Sequence, residues 1–314
     1  MAYSLYRLEF STGLHIGVDS GGSSLDDGRM TIHSDTLFSA LCCECAKNGS
    51  VNRLYDLFAG NLLTISDALP YHKDEFYLPK PVLFIGNVKR EGNSEQKKMF
   101  KAIEYIALSV FTEYVESLSS GGEMEPESLK YDFGRLIVDT RVALKGASQS
   151  TPYNVAYWRF NEDSGLYIIV RYKEETALSF LEDTLSALGF SGIGGKQSVG
   201  LGKFSLHKCS VPSKLIDLLE DTGADYQMLL GTALPPDHEL DTALNNGWYG
   251  VVRRGGFVRS ETYSQTPLKK RTIYMLTPGS CLKSRFEGGI FDLADGGAHP
   301  VWRCGKTLFA GVRL

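Results

Sequence analysis

The stretch Gly192-Ile193-Gly194-Gly195-Lys196-Gln197-Ser198-Val199-Gly200-Leu201-Gly202-Lys203-Phe204 decides how this chain is read. Five glycines fall within eleven residues, between a segment of helical periodicity and one of strand character. Glycine takes positive φ without a Cβ clash and lets another backbone come close, so the run can turn successive N–H groups toward one anion. Lys196 and Lys203 would add charge. Neither familiar phosphate loop fits. Counting back from Gly195-Lys196 puts Phe190 at the first glycine of a Walker A loop and Gln197 at its magnesium-binding position. Gln197 also stands where G-x-G-x-x-G needs its third glycine. A plain structural loop is the competing reading. Glycine spread over the whole segment, where one or two would end a helix, favours a grip on a nucleic-acid backbone.

On the N-terminal side of the run, Leu178, Leu181, Leu185 and Leu188 recur at helical spacing before Gly189, a suitable C-cap. A strand is expected over 204–211. At the start of the chain, Tyr6, Leu8 and Phe10 alternate with Leu5, Arg7 and Glu9, which predicts a half-buried strand. A Gly/Ser/Asp-rich loop over 19–28 leads to a predicted amphipathic helix. Ser34 is its expected N-cap, Asp35 suits the positive helix end, and Leu37, Phe38, Leu41, Cys42 and Cys45 share one face. The piece over 76–85 holds Leu78-Pro79-Lys80-Pro81, whose prolines suit an edge or a crossover. A helical region over 97–118 and a polar loop over 119–126 follow. Strands over 136–144 and 154–160 flank a Lys145–Tyr153 connection too long for a tight turn, which predicts a projecting hairpin. A central strand is expected over 166–172. This order resembles a ferredoxin-like βαββαβ unit.

From Pro212 the order begins again, with helices over 214–221 and 239–245, strands over 227–234, 248–259 and 272–277, and a final strand pair over 301–314. The predicted class is therefore α+β: two ferredoxin-like, RNA-recognition-motif-like domains in tandem, 1–211 and 212–314. The first carries the hairpin (136–160) and the Gly-rich loop (192–204).

A chain of 314 residues buries enough surface to fold without staples. No stretch approaches the ~18 apolar residues of a membrane span, and Met-Ala-Tyr-Ser-Leu-Tyr-Arg has no signal-peptide pattern, so a cytoplasmic protein with no membrane partner is expected. The six cysteines lack metal-site spacing and read as reduced, mostly buried thiols. Net charge is -4, which argues against a protein coated in nucleic acid, but it is unevenly distributed. Residues 1–190 carry 18 Lys and Arg against 26 Asp and Glu, whereas residues 191–314 carry 15 against 11. Within Val251–Arg285 eight cations, Arg253 and Arg254 among them, face a single acid, Glu261. They read either as solvated strand-edge charges or as an electrostatic footprint for phosphate.

Catalysis has little support. His15 and His33 are the candidates for metal-free acid/base cleavage of RNA, and single histidines are more often structural. Acidic clusters at metal-binding spacing and a nucleophile elbow are absent from the sequence. Tyr153, Tyr157, Trp158 and Phe160 on the hairpin read either as base-stacking groups or as core.

Together, His15-Ile16-Gly17, the Ser34–Leu41 helix, Phe76-Tyr77-Leu78-Pro79-Lys80-Pro81, the Gly192–Phe204 loop and Arg253-Arg254-Gly255-Gly256-Phe257-Val258 resemble the RAMP superfamily of CRISPR proteins. Within it, the resemblance is to subunits that cap the 5′ end of the guide RNA in type III-A effector complexes. It implies a thumb hairpin propped against bent guide RNA, no cofactor, no metal and no cleavage activity. The implied partners are the repeat-derived 5′ tag of crRNA, the large polymerase/cyclase-like subunit and the backbone RAMP subunit. Implied RNA contacts are Gly192, Gly194, Gly195, Lys196, Gln197, Ser198, Gly200, Gly202 and Lys203 of the loop, and Arg141, Lys145 and Tyr153 of the thumb. His15, His33, Ser34, Arg253 and Arg254 complete the set. The alternative from another class is a metal-independent, repeat-cleaving endoribonuclease using His15 or His33 with Lys196.

Overall fold

The computed structural model describes residues 1–18, 25–84, 94–120, 124–145, 149–260 and 262–314. Its organising feature is an antiparallel seven-stranded sheet. The strands up to residue 209 are β1 (Ala2–Phe10), β2 (Leu63–Ile65), β3 (Leu69–His72), β4 (Glu75–Pro79), β5 (Tyr105–Ala107), β6 (Gly134–Lys145), β7 (Gln149–Phe160), β8 (Ser164–Tyr172) and β9 (Phe204–Cys209). Interleaved with them are helices α1 (Ser34–Ala46), α2 (Val51–Ala59), α3 (Ser94–Ala102), α4 (Phe111–Ser120), α5 (Pro126–Leu129) and α6 (Glu175–Ser191). The sheet runs in the order β5-β4-β3-β8-β1-β9, with β2 also paired to β8.

Both faces of this sheet are covered, so β1 is more deeply buried than its alternation predicts. Tyr6 and Leu8 enter a core formed with Leu37, Phe38, Leu41 and Cys45 of α1 and the four leucines of α6. Leu5 points the other way, into a second core with Tyr167, Ile169, Phe111 and Val115. That second core also takes Leu215, Leu219, Met228, Leu230 and Ala310 from beyond residue 211. The C-terminal part contributes α7 (Ser213–Glu220), β10 (Tyr226–Leu229), α8 (Asp237–Leu244), β11 (Val251–Arg254), β12 (Ile273–Leu276), β13 (Cys281–Leu282), β14 (Ile290–Asp292), β15 (Trp302–Cys304) and β16 (Phe309–Val312). Strand β10 lies between β13 and β16, while β11 pairs with β12 and β14 with β15.

Several expectations are corrected. The single helix over 97–118 is instead α3, β5 and α4, because Ile106 is fully buried where β5 adds to β4, and that pairing overrides local helical preference. Strand β4 is not an edge; Pro79 is tolerated as its last residue, opposite Tyr105. The two C-terminal strands do not pair with each other: β15 joins β14 and β16 joins β10. Strands β6 and β7 form a hairpin of twelve residues each, in register from Gly134–Phe160 to Lys145–Gln149. Thr151, Pro152 and Tyr153, expected in its connection, belong to β7. Residues 146–148 of that connection and 19–24 of the Gly/Ser/Asp-rich loop lie outside the described residues. Among the described residues, no helix is long and apolar enough to cross a membrane.

Candidate nucleic-acid interface

The Gly-rich loop leaves α6 at Gly192 and reaches β9 at Phe204 through a single 3-10 turn over Gln197–Val199. Positive φ at Gly192, Gly194, Gly200 and Gly202, and at the non-glycine Lys196 (φ 61), bends the chain back on itself. Most of the glycines serve close packing. A Cβ on Gly202 would overlap the Ile193 carbonyl oxygen, and one on Gly194 the His15 carbonyl oxygen. The amides of Ile193, Gly195 and Gly202 donate to Gly202, His15 and Gly13 carbonyls at 2.9, 2.8 and 2.8 Å. The expectation that the whole run offers N–H groups to an anion is therefore narrowed. Among the described residues, no protein acceptor meets the amides of Lys196, Gln197 and Ser198, at the start of the 3-10 turn. Ser198 and Lys203 are exposed, Gly200 has open space around its Cβ position, and the Gln197 carboxamide donates to the Gly192 carbonyl.

The loop is fastened to the hairpin through His15. Its ring is buried, and Nδ1 lies 2.6 Å from the Ala156 carbonyl of β7; a carbonyl only accepts, so Nδ1 carries the proton. With its own carbonyl held by Gly195, His15 joins β7 to the loop. Leu14 extends the connection, bridging to Trp158. This brings three expected residues together. The Lys196 ammonium sits 4.8 Å from the centre of the Tyr153 ring, and Tyr153 is the cross-strand partner of Arg141. The backbone of Lys145 pairs with Gln149 at the far end of the hairpin, but its side chain is outside the described residues. Beneath the hairpin base lies a polar cleft of about 730 Å³, between Gly13 and Leu201, Arg141 and Arg159 of the hairpin, and Arg7 and Tyr71 of the sheet. The Arg7 guanidinium lies over the Tyr71 and Phe76 rings at 4.9 and 5.1 Å, and its buried Nε has no partner among the described residues. Nothing in the sequence singles out Arg7 or Arg159 of this cleft, because alternation in strands marks them only as outward-facing.

Four of the expected contacts lie elsewhere. His33, not Ser34, precedes the first turn of α1; its own side chain does not cap the helix, and the Asp67 carboxylate accepts the Ser34 amide at 2.7 Å. The His33 ring is buried, with Nδ1 2.6 Å from Asp67 Oδ2 and Nε2 2.9 Å from the Arg29 guanidinium. Burial opposes its protonation while the Asp67 carboxylate favours it, and the balance lies above the usual imidazole value. The Ser34 hydroxyl bonds to Thr232. Arg254 is buried, donating Nε and Nη2 to the two carboxylate oxygens of Asp35 at 2.8 and 3.1 Å. Arg303 binds the same carboxylate, and Thr232 Oγ1 donates to it at 3.2 Å. Asp35 thus serves as the anchor of a buried cation pair, where the sequence suggested a helix-end charge. Arg253, its neighbour, faces outward.

The loop and hairpin thus combine cations, an aromatic face and unpaired amides, a set suited to holding a phosphate chain. Both histidines are 5–6% exposed and tied to protein groups. Among the described residues no cluster of three His, Cys, Asp or Glu could hold a metal ion.

The RAMP superfamily model matches residues 7–205, and a model described as the CRISPR Csm4 C-terminal domain matches residues 222–312. The chain is 34% identical over 309 residues to "CRISPR system Cms protein Csm4" of Mycobacterium tuberculosis, covering 98% of this chain and 97% of that one. The Csm4 protein of Streptococcus thermophilus is 30% identical over 316 residues, with 98% of each chain covered. Among solved structures, a chain of the Csm3-Csm4 subcomplex of the type III-A CRISPR-Cas interference complex superposes with a TM-score of 0.68 at 19% identity, covering 99% of this chain and 100% of that one. A chain of the Csm1-Csm4 cassette in complex with pppApA gives 0.62 at 22% identity, covering 100% and 99%. The chain therefore belongs to the Csm4 family of the RAMP superfamily of CRISPR proteins.

Proposed function

We propose that this chain is a non-catalytic RNA-binding subunit of a type III-A CRISPR complex. In this reading it holds the 5′ repeat-derived tag of the guide RNA and bridges the large polymerase/cyclase-like subunit to the backbone RAMP subunit. The observation that carries the proposal is the convergence of Lys196, Tyr153 and Arg141 beside the unpaired amides of residues 196–198. Cation, stacking face and amides are the three elements with which proteins grip a single strand without cutting it. Similarity along the whole chain to Csm4 proteins, and the fold shared with Csm4 in Csm1-Csm4 and Csm3-Csm4 assemblies, support the bridging role.

The finer architecture belongs to the same proposal. β1, α1, β2 with β3, β8, α6 and β9 follow the βαββαβ order, with the spatial order β3-β8-β1-β9 and both helices in the core on one face. This supports a ferredoxin-like unit over 1–211, with β6–β7 as its thumb and 212–314 as a second unit. Gly192, Gly194, Gly195 and Gly202 shape the loop, while Lys196, Gln197, Ser198, Gly200 and Lys203 meet the RNA backbone. His15 positions the loop, and Arg253 makes a separate contact. His33, Ser34 and Arg254 hold the fold.

Lys196→Glu with Arg141→Ser tests the reading in the assembled complex. The expected outcome is weaker retention of guide RNA, with the salt slope of binding reduced by about 0.7 log unit for each phosphate no longer neutralised. Unchanged retention and slope would reject the role of the loop. Cleavage of repeat RNA by the purified protein in EDTA would favour the endoribonuclease alternative.

A further inference from the structure

A second surface has the chemistry of a single-strand binder. Strands β11 and β12 pair Val251–Arg254 with Ile273–Leu276, and the ribbon continues beyond them through a Phe257–Lys269 bridge and a Val258 amide to Leu268 carbonyl bond of 2.9 Å. Two cross-strand pairs on it are exposed. Arg253 stands opposite Tyr274, which is 62% exposed, and the Lys269 ammonium lies 5.4 Å from the centre of the Phe257 ring, which is 55% exposed. Arg254, Gly255 and Gly256 lie between Arg253 and Phe257, and Gly256 turns the chain with a φ of 107. Neither ring packs against the apolar clusters.

The cations discriminate between classes of ligand. Other basic residues of the segment are already engaged: Arg254 by Asp35, Arg271 by the Asp292 carbonyl, and Arg285 by Gln227 and the Leu219 and Asp221 carbonyls. Arg253, Arg259 and Lys269 are exposed and have no ion-pair partner among the described residues. Helix α1 touches both the end of this segment and the residue ahead of the Gly-rich loop. Cys43 of α1 contacts the Arg259 carbonyl, and Lys47 donates to the Ser191 hydroxyl at 2.8 Å, just ahead of Gly192. Cys43 and Lys47 are one helical turn apart, about 6 Å along the axis. Phe190, next to Ser191 in the chain, is 83% exposed.

We propose that the β11–β12 ribbon is a second docking surface for single-stranded RNA, with Tyr274 and Phe257 stacking on bases and Arg253, Lys269 and Arg259 meeting phosphates. It lies beyond the loop–hairpin site and does not depend on it. Unpaired cations alternating with exposed rings fit a polyanion with π-faces, and aromatic stacking tolerates any base.

The test uses a fluorescein-labelled, unstructured 20-nucleotide RNA and the full chain, titrated at several salt concentrations. Phe257→Ala with Tyr274→Ala is expected to weaken binding roughly tenfold or more per ring. Arg253→Ser with Lys269→Ser is expected to lower the salt slope by about 1.4. Tyr274→Phe, which keeps the stacking face, should bind as the parent does, and unchanged thermal unfolding of each variant shows that the fold is intact. Lys196→Glu, measured in parallel, separates the two surfaces: weaker binding there with none in the ribbon variants leaves the loop reading standing and overturns this one, and the converse pattern does the reverse. Ribbon variants that bind RNA normally but no longer copurify with the large or backbone subunit would identify a protein interface and also overturn the proposal.

Discussion

A single buried carboxylate, Asp35, pairs with two guanidinium groups, Arg254 at the end of β11 and Arg303 in β15. Burial and the nearby Arg303 both press against the charge of Arg254, and the bidentate pairing with Asp35 sustains it. Asp35→Asn is expected to cost about 3–5 kcal/mol, the typical penalty for stranding buried charge, read as a lower midpoint in urea unfolding. A cost below about 1 kcal/mol would mean that the cluster is hydrated and contributes little. Lys270 lies at the edge of this cluster, and burial, followed by Arg303, pulls its ammonium down to about 8. The sign follows from linkage. Between about pH 8 and its ordinary value of 10.5 the unfolded chain holds this proton and the folded chain does not, so stability attributable to Lys270 rises with pH across that window. The wild type should therefore gain stability from pH 8 to pH 10 relative to Lys270→Met. Parallel pH profiles of the two proteins would reject the assignment. No pattern in the sequence marks Asp35 for this role, because an acidic first turn is what an ordinary helix end also shows.

The Gly-rich loop is the element whose reading changes most between sequence and structure. Its glycine content is visible in the sequence, but which glycines face a partner and which face the protein depends on where residues 13–16 lie, and that is a long-range fact. Two substitutions separate the roles. Gly202→Ala meets both a left-handed φ of 78 and the Ile193 carbonyl, whereas Gly200→Ala meets only its φ of 87, with open space around it. The first should destabilise the chain by about 2 kcal/mol or more, and the second by about 1–2 kcal/mol, from thermal unfolding. Equal costs would show that the loop opens freely and that its packing against Gly13 and Ile193 is weak. The strands and helices with clear periodicity, β1, α1, α6 and β8, were legible because both their faces repeat over several turns or alternations. β5 was not, since three residues between two helical segments carry too little pattern to announce a strand that exists only through pairing with β4. The hairpin is legible as a hairpin, yet its strands extend further than the sequence predicts, because Pro152 and its neighbours resemble a connection until the register with Val142 places them.

At the scale of the molecule, the residues beyond 211 share one apolar cluster with the large sheet and hold a smaller one of their own. Leu215 and Leu219 of α7, Met228 of β10 and Ala310 of β16 are almost fully buried in the same cluster as Leu5, Tyr167 and Ile169 of the large sheet. Polar groups tie the two parts as firmly: Asp67 accepts the Thr232 amide at 2.9 Å and the Ser34 amide at 2.7 Å, and its own amide donates to the Leu230 carbonyl. A fragment ending at 211 would expose that apolar face to water and leave Asp35 without either arginine, so it loses both burial and charge compensation. The full chain should accordingly unfold in one transition, with tryptophan fluorescence and far-UV circular dichroism giving the same midpoint in urea. All three tryptophans, Trp158, Trp248 and Trp302, sit in different parts of the molecule, which makes the comparison sensitive. Separated transitions, or a soluble and cooperatively folding 1–211 fragment, would show that the two units are energetically independent. In that case the Asp35 and Asp67 contacts would join parts that fold alone, and the cost of Asp35→Asn would appear as loosened docking in place of lost stability.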